Sequence, residues 1–147
     1  MSNNHFVIPD IQARPGELMN HCQWVGKYIA EKKPDVVINL GDHADMASLS
    51  SWDRGTLNFE GRRFVKDVQA SDLANQLLLG PSQEDHDYWD RLVTHILYGN
   101  HENRIDRFVQ KNPELAEFVD RSALRYDEWY DNVHEFLVPI EIDGVLY

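Results

Sequence analysis

Short apolar runs alternate along the chain with stretches in which apolar residues recur at helical spacing. Three of the runs, residues 5–9, 35–40 and 92–98, are typical of strands buried in a parallel sheet. Helical stretches separate them, and Pro34 stands immediately before the second run. A strand, helix, strand, helix, strand order implies right-handed crossovers, because strands that follow one another in this way lie parallel. The pattern therefore predicts an α/β fold.

The helical stretches have recognisable beginnings and ends. The first follows a Pro-Gly turn at 15–16 and is predicted to run through about Lys33, with an apolar stripe of Leu18, Cys22, Val25 and Ile29. A long helix is predicted over residues 60–79, because the glycine and proline at 80–81 are typical of a helix end. Two shorter helices are expected over residues 104–110 and 113–120.

The last eight residues carry a hairpin signal. Ile140 and Ile142 alternate with polar residues, Asp143 and Gly144 are typical of a tight turn, and residues 145–147 begin a return strand. A domain rarely ends on so short a strand. We therefore expect residues 1–147 to be a single domain that forms the N-terminal part of a longer protein.

Composition limits the number of domains and the kinds of partner. A chain of 147 residues and 17.2 kDa fits one domain, and 42% hydrophobic residues are enough to build a core. Fourteen Lys and Arg against 25 Asp and Glu leave a formal charge of -11. Because such a chain repels polyphosphate, the composition argues against a basic nucleic-acid binder, and we expect no stable nucleic-acid complex.

The N-terminal residues and the number of cysteines indicate the cellular compartment. One cysteine, Cys22, cannot form an intramolecular disulfide, which fits a reducing compartment. The first residues show no basic and apolar signal segment, and no run approaches the roughly 20 apolar residues that span a bilayer. We expect a soluble cytoplasmic protein without membrane partners.

Polar residues with metal-binding side chains follow all three predicted strands. Asp10 and Gln12 follow the first, residues 41–45 (GDHAD) follow the second, and residues 99–102 (GNHE) follow the third. Taken singly, Asp42 and Asn100 could be helix caps, and a glycine after a strand often only permits a sharp turn. Together they bring oxygen and nitrogen ligands to the edge of a sheet where ligands bind, which favours a divalent-cation site.

These segments carry a family resemblance. PDIQ at 9–12, GDHAD at 41–45 and GNHE at 99–102 resemble, in order, the first three motifs of the calcineurin-like metallophosphoesterases. The resemblance implies an α/β sandwich of two sheets flanked by helices, here with its C-terminal part missing. It also implies hydrolysis of a phosphate ester by a hydroxide that two divalent cations activate.

The resemblance suggests a role for each matching residue. Asp10 and Gln12 would bind the first metal, Asp42 would bridge both metals, and Asn100 would bind the second. His101 would be the general acid, and Asp45 would orient it. Outside the motifs, Arg104 could clamp a phosphate oxygen, although a surface ion pair is the more common role of such a residue.

Two departures from the family pattern affect these roles. Gln12 stands where the family usually has a histidine, and an amide oxygen is a harder donor, so we expect Mn²⁺, with Mg²⁺, Fe, Zn²⁺ and Ni²⁺ as alternatives. The family's two later histidine motifs have no counterpart after residue 103. His134 is the only later histidine, and packing or exposure would explain it. The missing histidine is expected beyond Tyr147.

Several alternatives stay open. A nuclease or a cyclic phosphodiesterase could use the same metals, and a non-catalytic binding module could retain three motifs without a full ligand set. The phosphate ester could belong to a protein, a nucleotide or a nucleic acid. His43 could reach a metal or substrate phosphate or face solvent, and His95 is expected to be a core residue. Residues 52–55, in the loop after the second motif, are expected to shape the substrate mouth.

Overall fold

A parallel sheet of four strands forms the centre of the molecule, whose computed structural model describes residues 3–147. The strands lie in the order β1 (His5–Ile8), β2 (Val36–Asn39), β3 (Val93–Leu97) and β4 (Asn132–His134), and every neighbouring pair is parallel. A second, antiparallel sheet pairs β5 (Glu141–Ile142) with β6 (Val145–Leu146). The predicted α/β class, with two sheets flanked by helices, is confirmed.

Helices occupy the connections between the strands. They are α1 (Asn20–Lys32), α2 (Phe64–Gln83), α3 (His86–Trp89), α4 (Arg104–Lys111) and α5 (Tyr126–Trp129). The prediction that α1 ends before Pro34 is confirmed, and Lys33 caps it in the left-handed conformation. No helix within residues 3–147 is long and apolar enough to cross a bilayer.

The end of α2 was predicted incorrectly. The helix begins at Phe64 and continues through Gly80 and Pro81 to Gln83. Pro81 has no backbone N–H, so the carbonyl of Leu77, four residues earlier, has no helical donor. That carbonyl instead lies against Gly26 of α1, where a Cβ would stand 2.0 Å from the Leu77 oxygen. Close packing against α1 therefore accommodates a proline that would normally end a helix.

Two other sequence predictions need correction, and one strand was not predicted. Leu18 is 82% exposed and precedes α1, so it does not belong to the apolar stripe. The helix expected over residues 113–120 is only the 3₁₀ turn Pro113–Leu115. Phe118 is 74% exposed, so this segment has little apolar contact to stabilise a longer helix. Strand β4 was not predicted as part of the parallel sheet, because three residues with two polar side chains carry almost no strand pattern.

The core lies where α1 and α2 pack against the sheet. Its fully buried members include Cys22 and Ile29 of α1, Leu78 of α2, Val37 of β2 and Ile96 of β3. Burial raises the pKa of the Cys22 thiol to about 11, so this cysteine is a small, unreactive core residue. The core fixes the backbone of β1, β2 and β3, and through it the loops that follow them.

Candidate functional site

The loops that follow β1, β2 and β3 meet at one edge of the sheet. Parallel pairing places the carboxyl ends of these strands side by side. Asp10, Asp42 and Asn100, one from each loop, line a single cleft of about 400 Å³. The structure therefore brings together three of the four residues that the sequence singled out as metal ligands.

The polar atoms of these side chains are largely uncommitted. Within residues 3–147, the side chains of Asp10 and Asn100 form no hydrogen bond, and Asp42 Oδ1 accepts one from the backbone N–H of His101 at 2.9 Å. Asp10 and Asp42 both hold left-handed backbone conformations, with φ of 43° and 49°. Such conformations are unfavourable for residues other than glycine and concentrate at functional sites.

The donor set fits a hard divalent cation, although it is small. Two carboxylates and an amide supply only oxygen, which is the chemistry that Mn²⁺ and Mg²⁺ prefer. Within residues 3–147 there is no ready-made group of three His, Cys, Asp or Glu residues that could hold a metal. Glu135 also lines the cleft but is ion-paired with Arg121, so the amide of Asn100 is the further oxygen donor beside the two carboxylates.

Gln12 lies beside this cleft and is not among the residues that line it. Its side chain is exposed, and its backbone N–H donates to the carbonyl of Asp42 at 2.8 Å. Ala13 continues the contact through a short parallel bridge to Ala44. The loop after β1 is thus fixed to the loop after β2 by backbone hydrogen bonds.

Two glycines allow the loops after β2 and β3 to approach each other. A Cβ on Gly41, whose φ is +94°, would lie 2.7 Å from the backbone nitrogen of Gly99. A Cβ on Gly99 would lie 2.1 Å from Asp42 Oδ1 and 2.2 Å from the Asp42 nitrogen. Real Cβ contacts are never this short, so the position of the Asp42 carboxylate depends on glycine at residue 99.

Glu102 is a residue whose role the sequence did not reveal. Its buried carboxylate accepts hydrogen bonds from the backbone N–H groups of Asp42, Ala44 and Gly99 and from the hydroxyl of Tyr126, at 2.9 to 3.1 Å. Burial raises the pKa of this carboxyl, and the N–H donors act in the opposite direction. Glu102 therefore joins the loops after β2 and β3 from the buried side, and its carboxylate is not free to bind a metal.

His101 and Asp45 form a hydrogen-bonded pair at the edge of the site. His101 Nδ1 lies 2.9 Å from both Oδ1 and the backbone oxygen of Asp45. Both partners are acceptors, so Nδ1 must carry the proton, and Nε2 is the nitrogen that remains for a further partner. The pairing fixes the ring and its tautomer, which is the arrangement expected of a histidine oriented by a carboxylate.

Two arginines surround this pair. Arg104 Nη1 donates to the backbone oxygen of Asp45 at 2.8 Å, and its Nη2 lies 3.5 Å from His101 Nε2. Arg14 Nε lies 3.6 Å from Asp45 Oδ2. Arg104 therefore stands next to His101 Nε2 and Arg14 next to the Asp45 carboxylate, where an anionic substrate would be attracted.

His43 and the other histidines have different surroundings from those of His101. His43 is fully buried, which corrects both expectations for it, a metal or phosphate contact and exposure to solvent. Its Nε2 donates to the carbonyl of Ser71 and its Nδ1 accepts from Asn39, both at 3.0 Å, and burial lowers its pKa to about 4. His95 and His134 are half-buried and contact each other at 3.0 Å across β3 and β4.

Comparison with known proteins adds a family context. A family model described as calcineurin-like phosphoesterase matches residues 6–144. The chain is similar to "Gene 54 protein" of Mycobacterium phage L5, with 31% identity over 120 residues, covering 81% of this chain and 44% of that protein. It is also similar to "Gene 54 protein" of Mycobacterium phage D29, with 29% identity over 122 residues, covering 82% of this chain and 45% of that protein. The chain thus spans less than half the length of these curated relatives. No solved structure matches it.

Proposed function

The chain belongs to the calcineurin-like phosphoesterase family, whose members generally hydrolyse phosphate esters with the help of metals, and we propose that it does so at the edge where β1, β2 and β3 end. One observation carries the proposal: Asp10, Asp42 and Asn100 line the same cleft. Three loops far apart in sequence have no packing reason to present carboxylate and amide oxygens to a common cleft. A divalent-cation site explains that convergence.

Asp10 would hold the first cation, Asp42 would bridge two cations, and Asn100 would hold the second. Gln12, two residues after Asp10, is the further candidate ligand, and its amide oxygen favours Mn²⁺ over Zn²⁺. When bound, two such cations would neutralise phosphate charge and activate a water molecule for attack on phosphorus. Glu102, Gly41 and Gly99 have no direct part in this chemistry and hold the ligand loops in register.

His101 is the group that would supply a proton to the leaving alkoxide. With Nδ1–H fixed on Asp45, Nε2 is the ring position that would carry the transferable proton. Nε2 would then be the nitrogen that donates. Proton transfer of this kind typically contributes about 10²- to 10⁴-fold to a rate.

Arg104 is the candidate phosphate-binding residue. In the free protein its Nη2 lies 3.5 Å from His101 Nε2, the ring nitrogen that carries the lone pair. Once Nε2 is protonated, that contact becomes donor against donor, and the guanidinium can turn its N–H groups to a phosphate oxygen instead. The proton donor and the phosphate clamp would thus be coupled through a single contact.

Hydrolysis of 4-nitrophenyl phosphate by the Mn²⁺-loaded chain tests the proposal. We expect turnover that depends on added metal and that falls by about 10²-fold or more in His101→Ala, while His21→Ala on the exposed side of α1 behaves as the wild type. Equal turnover in the two variants would contradict the role of His101. A folded, metal-binding chain without turnover would support the non-catalytic alternative.

A further inference from the structure

A second cavity adjoins the cleft that contains Asp10 and Asp42. It has a volume of about 210 Å³ and meets the cleft at Asn100, which lines both. Arg104, already placed beside His101, also lines it. A molecule bound at the Asn100 end of the cleft could therefore extend into this cavity without crossing the protein.

The cavity is cationic in an acidic protein. Arg54, Arg104, Arg107 and Lys111 line it, and among residues 3–147 no Asp or Glu belongs to the lining. The whole chain carries a formal charge of -11, so four cations on one cavity wall are opposite in sign to the net charge of the protein. In the part of the chain that the structure describes, Arg54, Arg107 and Lys111 form no ion pair. Their charges are available to an anion from outside.

Local structure holds these cations on the cavity wall. Arg104, Arg107 and Lys111 stand at i, i+3 and i+7 of α4, a spacing that places them on one helix face. Like charges at this spacing destabilise a helix slightly, whereas Lys111 stands in the last turn, where the helix dipole favours a cation. Arg54 arrives from the loop after β2, and its guanidinium lies 5.8 Å from the centre of the Phe108 ring.

We propose that this cavity is a subsite for a second phosphate of the substrate, next to the one that is hydrolysed. The inference rests on the proposed function, and it adds a substrate class: organic phosphates with two neighbouring phosphate groups. The first phosphate would lie at the Asn100 end of the cleft. Arg107 and Lys111 would bind the second, with Arg54 closing the cavity from the opposite loop.

The dimensions limit what can enter. Pockets that enclose whole drug-sized ligands measure about 300 to 1,000 Å³, and this cavity measures about 210 Å³. A phosphate group fits inside, and a sugar and base do not. An attached nucleoside would have to remain at the mouth, where Trp52, a residue of the lining, is 88% exposed and offers a ring for stacking.

Equilibrium binding to the metal-free chain tests the subsite independently of catalysis. Inorganic pyrophosphate and ADP are titrated calorimetrically into the wild type and into a double variant, Arg107→Ala with Lys111→Ala. Each charge-assisted hydrogen bond that is lost weakens binding by about tenfold, so we expect at least this loss for both probes. The matched control, Lys27→Ala with Arg91→Ala, removes the same charge elsewhere and should bind as the wild type does.

Trp52→Ala separates stacking from phosphate binding. We expect it to weaken binding of ADP and to leave binding of pyrophosphate unchanged. A comparison of ADP with a 5′-phosphorylated thymidine pentamer identifies the source of the second phosphate. Tighter binding of ADP indicates free nucleotides, and tighter binding of the pentamer indicates strand ends. Both outcomes support the subsite. Equal affinities in the double variant and its control, or no binding to the wild type, would overturn it.

A kinetic comparison distinguishes failure of the subsite from failure of the proposed function. With Mn²⁺ present, we expect the ratio of the KM for ADP to the KM for 4-nitrophenyl phosphate to rise about tenfold in the double variant. An unchanged ratio in an active protein would overturn the subsite alone. If no substrate is turned over while the double variant still binds pyrophosphate more weakly than the wild type, the proposed function is overturned and the subsite remains supported.

Discussion

Gly99 lies so close to Asp42 that a Cβ at residue 99 would stand 2.1 Å from Asp42 Oδ1. The loop after β3 therefore sets the position of a carboxylate that belongs to the loop after β2. This contact makes the candidate metal centre a property of the packed sheet, since neither loop could hold Asp42 in place alone.

Gly99→Ala should displace the Asp42 carboxylate. We expect Mn²⁺ affinity to fall and the free energy of unfolding to drop by about 1 to 3 kcal/mol, as is usual when an extra methyl group meets packed atoms. Calorimetric titration with Mn²⁺ and urea unfolding measure the two effects. Gly80→Ala is the control, because a Cβ at residue 80 of α2 meets nothing within 4 Å; it should stabilise the helix slightly. Equal metal affinity in the two variants would contradict the finding.

Glu102→Gln should loosen both ligand loops. Glu102 Oε1 accepts from Ala44 and Tyr126, and Oε2 accepts from Asp42 and Gly99. An amide group must turn an NH₂ toward one of these donor pairs, which leaves buried donors unsatisfied and destabilises the protein by about 1 to 3 kcal/mol. Urea unfolding checks this against Glu114→Gln, an exposed position. Equal stability of the two variants would show that Glu102 does not join the loops.

His43 should make stability depend on pH. Its pKa is lowered to about 4 in the folded protein by burial, against an ordinary value of 6.5. Below pH 6.5 the unfolded chain takes up a proton that the folded protein excludes, so stability falls as the pH falls toward 4, by about 3 kcal/mol in total for this residue. The lowered pKa values of His95 and His134 act in the same direction.

The free energy of unfolding at pH 7 and pH 5, measured by urea titration, checks this dependence. His43→Gln should have a smaller difference between the two pH values than the wild type, whereas His21→Gln, on the exposed face of α1, should retain the full difference. A pH dependence unchanged in His43→Gln would contradict the assignment of this histidine to the neutral core.

Gln12→His should change the choice of metal. An imidazole in place of the amide favours Zn²⁺, so we expect Zn²⁺ affinity to rise while Mn²⁺ affinity changes less. Competition titrations with the two metals measure the ratio of affinities. Gln23→His, an exposed position on α1, is the matched control. The same ratio in both variants would show that Gln12 does not contact a cation.

Much of the fold could be predicted because it is recorded in local patterns. The first three parallel strands are apolar runs of strand length, and the Asp143–Gly144 turn of the final hairpin adopts the positive φ values, 51° and 81°, that its residue types favour. The end of α2 could not be predicted, because the Leu77 carbonyl that Pro81 leaves without a helical donor packs against Gly26 only in the folded protein.

The candidate site likewise has features that the local sequence predicts and features that depend on contacts distant in sequence. The motifs place Asp10, Asp42 and Asn100 at strand ends, and parallel pairing then brings them to one edge. The role of Glu102 and the burial of His43 could not be predicted, since both follow from contacts with α2 and α5 that are distant in sequence. A polar side chain inside a motif looks the same in sequence whether it binds a ligand or supports the residues that do.

Calorimetric titration of Mn²⁺ into the wild type, Asp42→Asn and His101→Ala tests the central claim most directly. If oxygen donors from three strand ends hold the cations and His101 only transfers a proton, the wild type and His101→Ala should bind Mn²⁺ alike, and Asp42→Asn should bind at least about 100-fold more weakly. Mn²⁺ binding to Asp42→Asn as tight as to the wild type, or no binding to any of the three proteins, would contradict it.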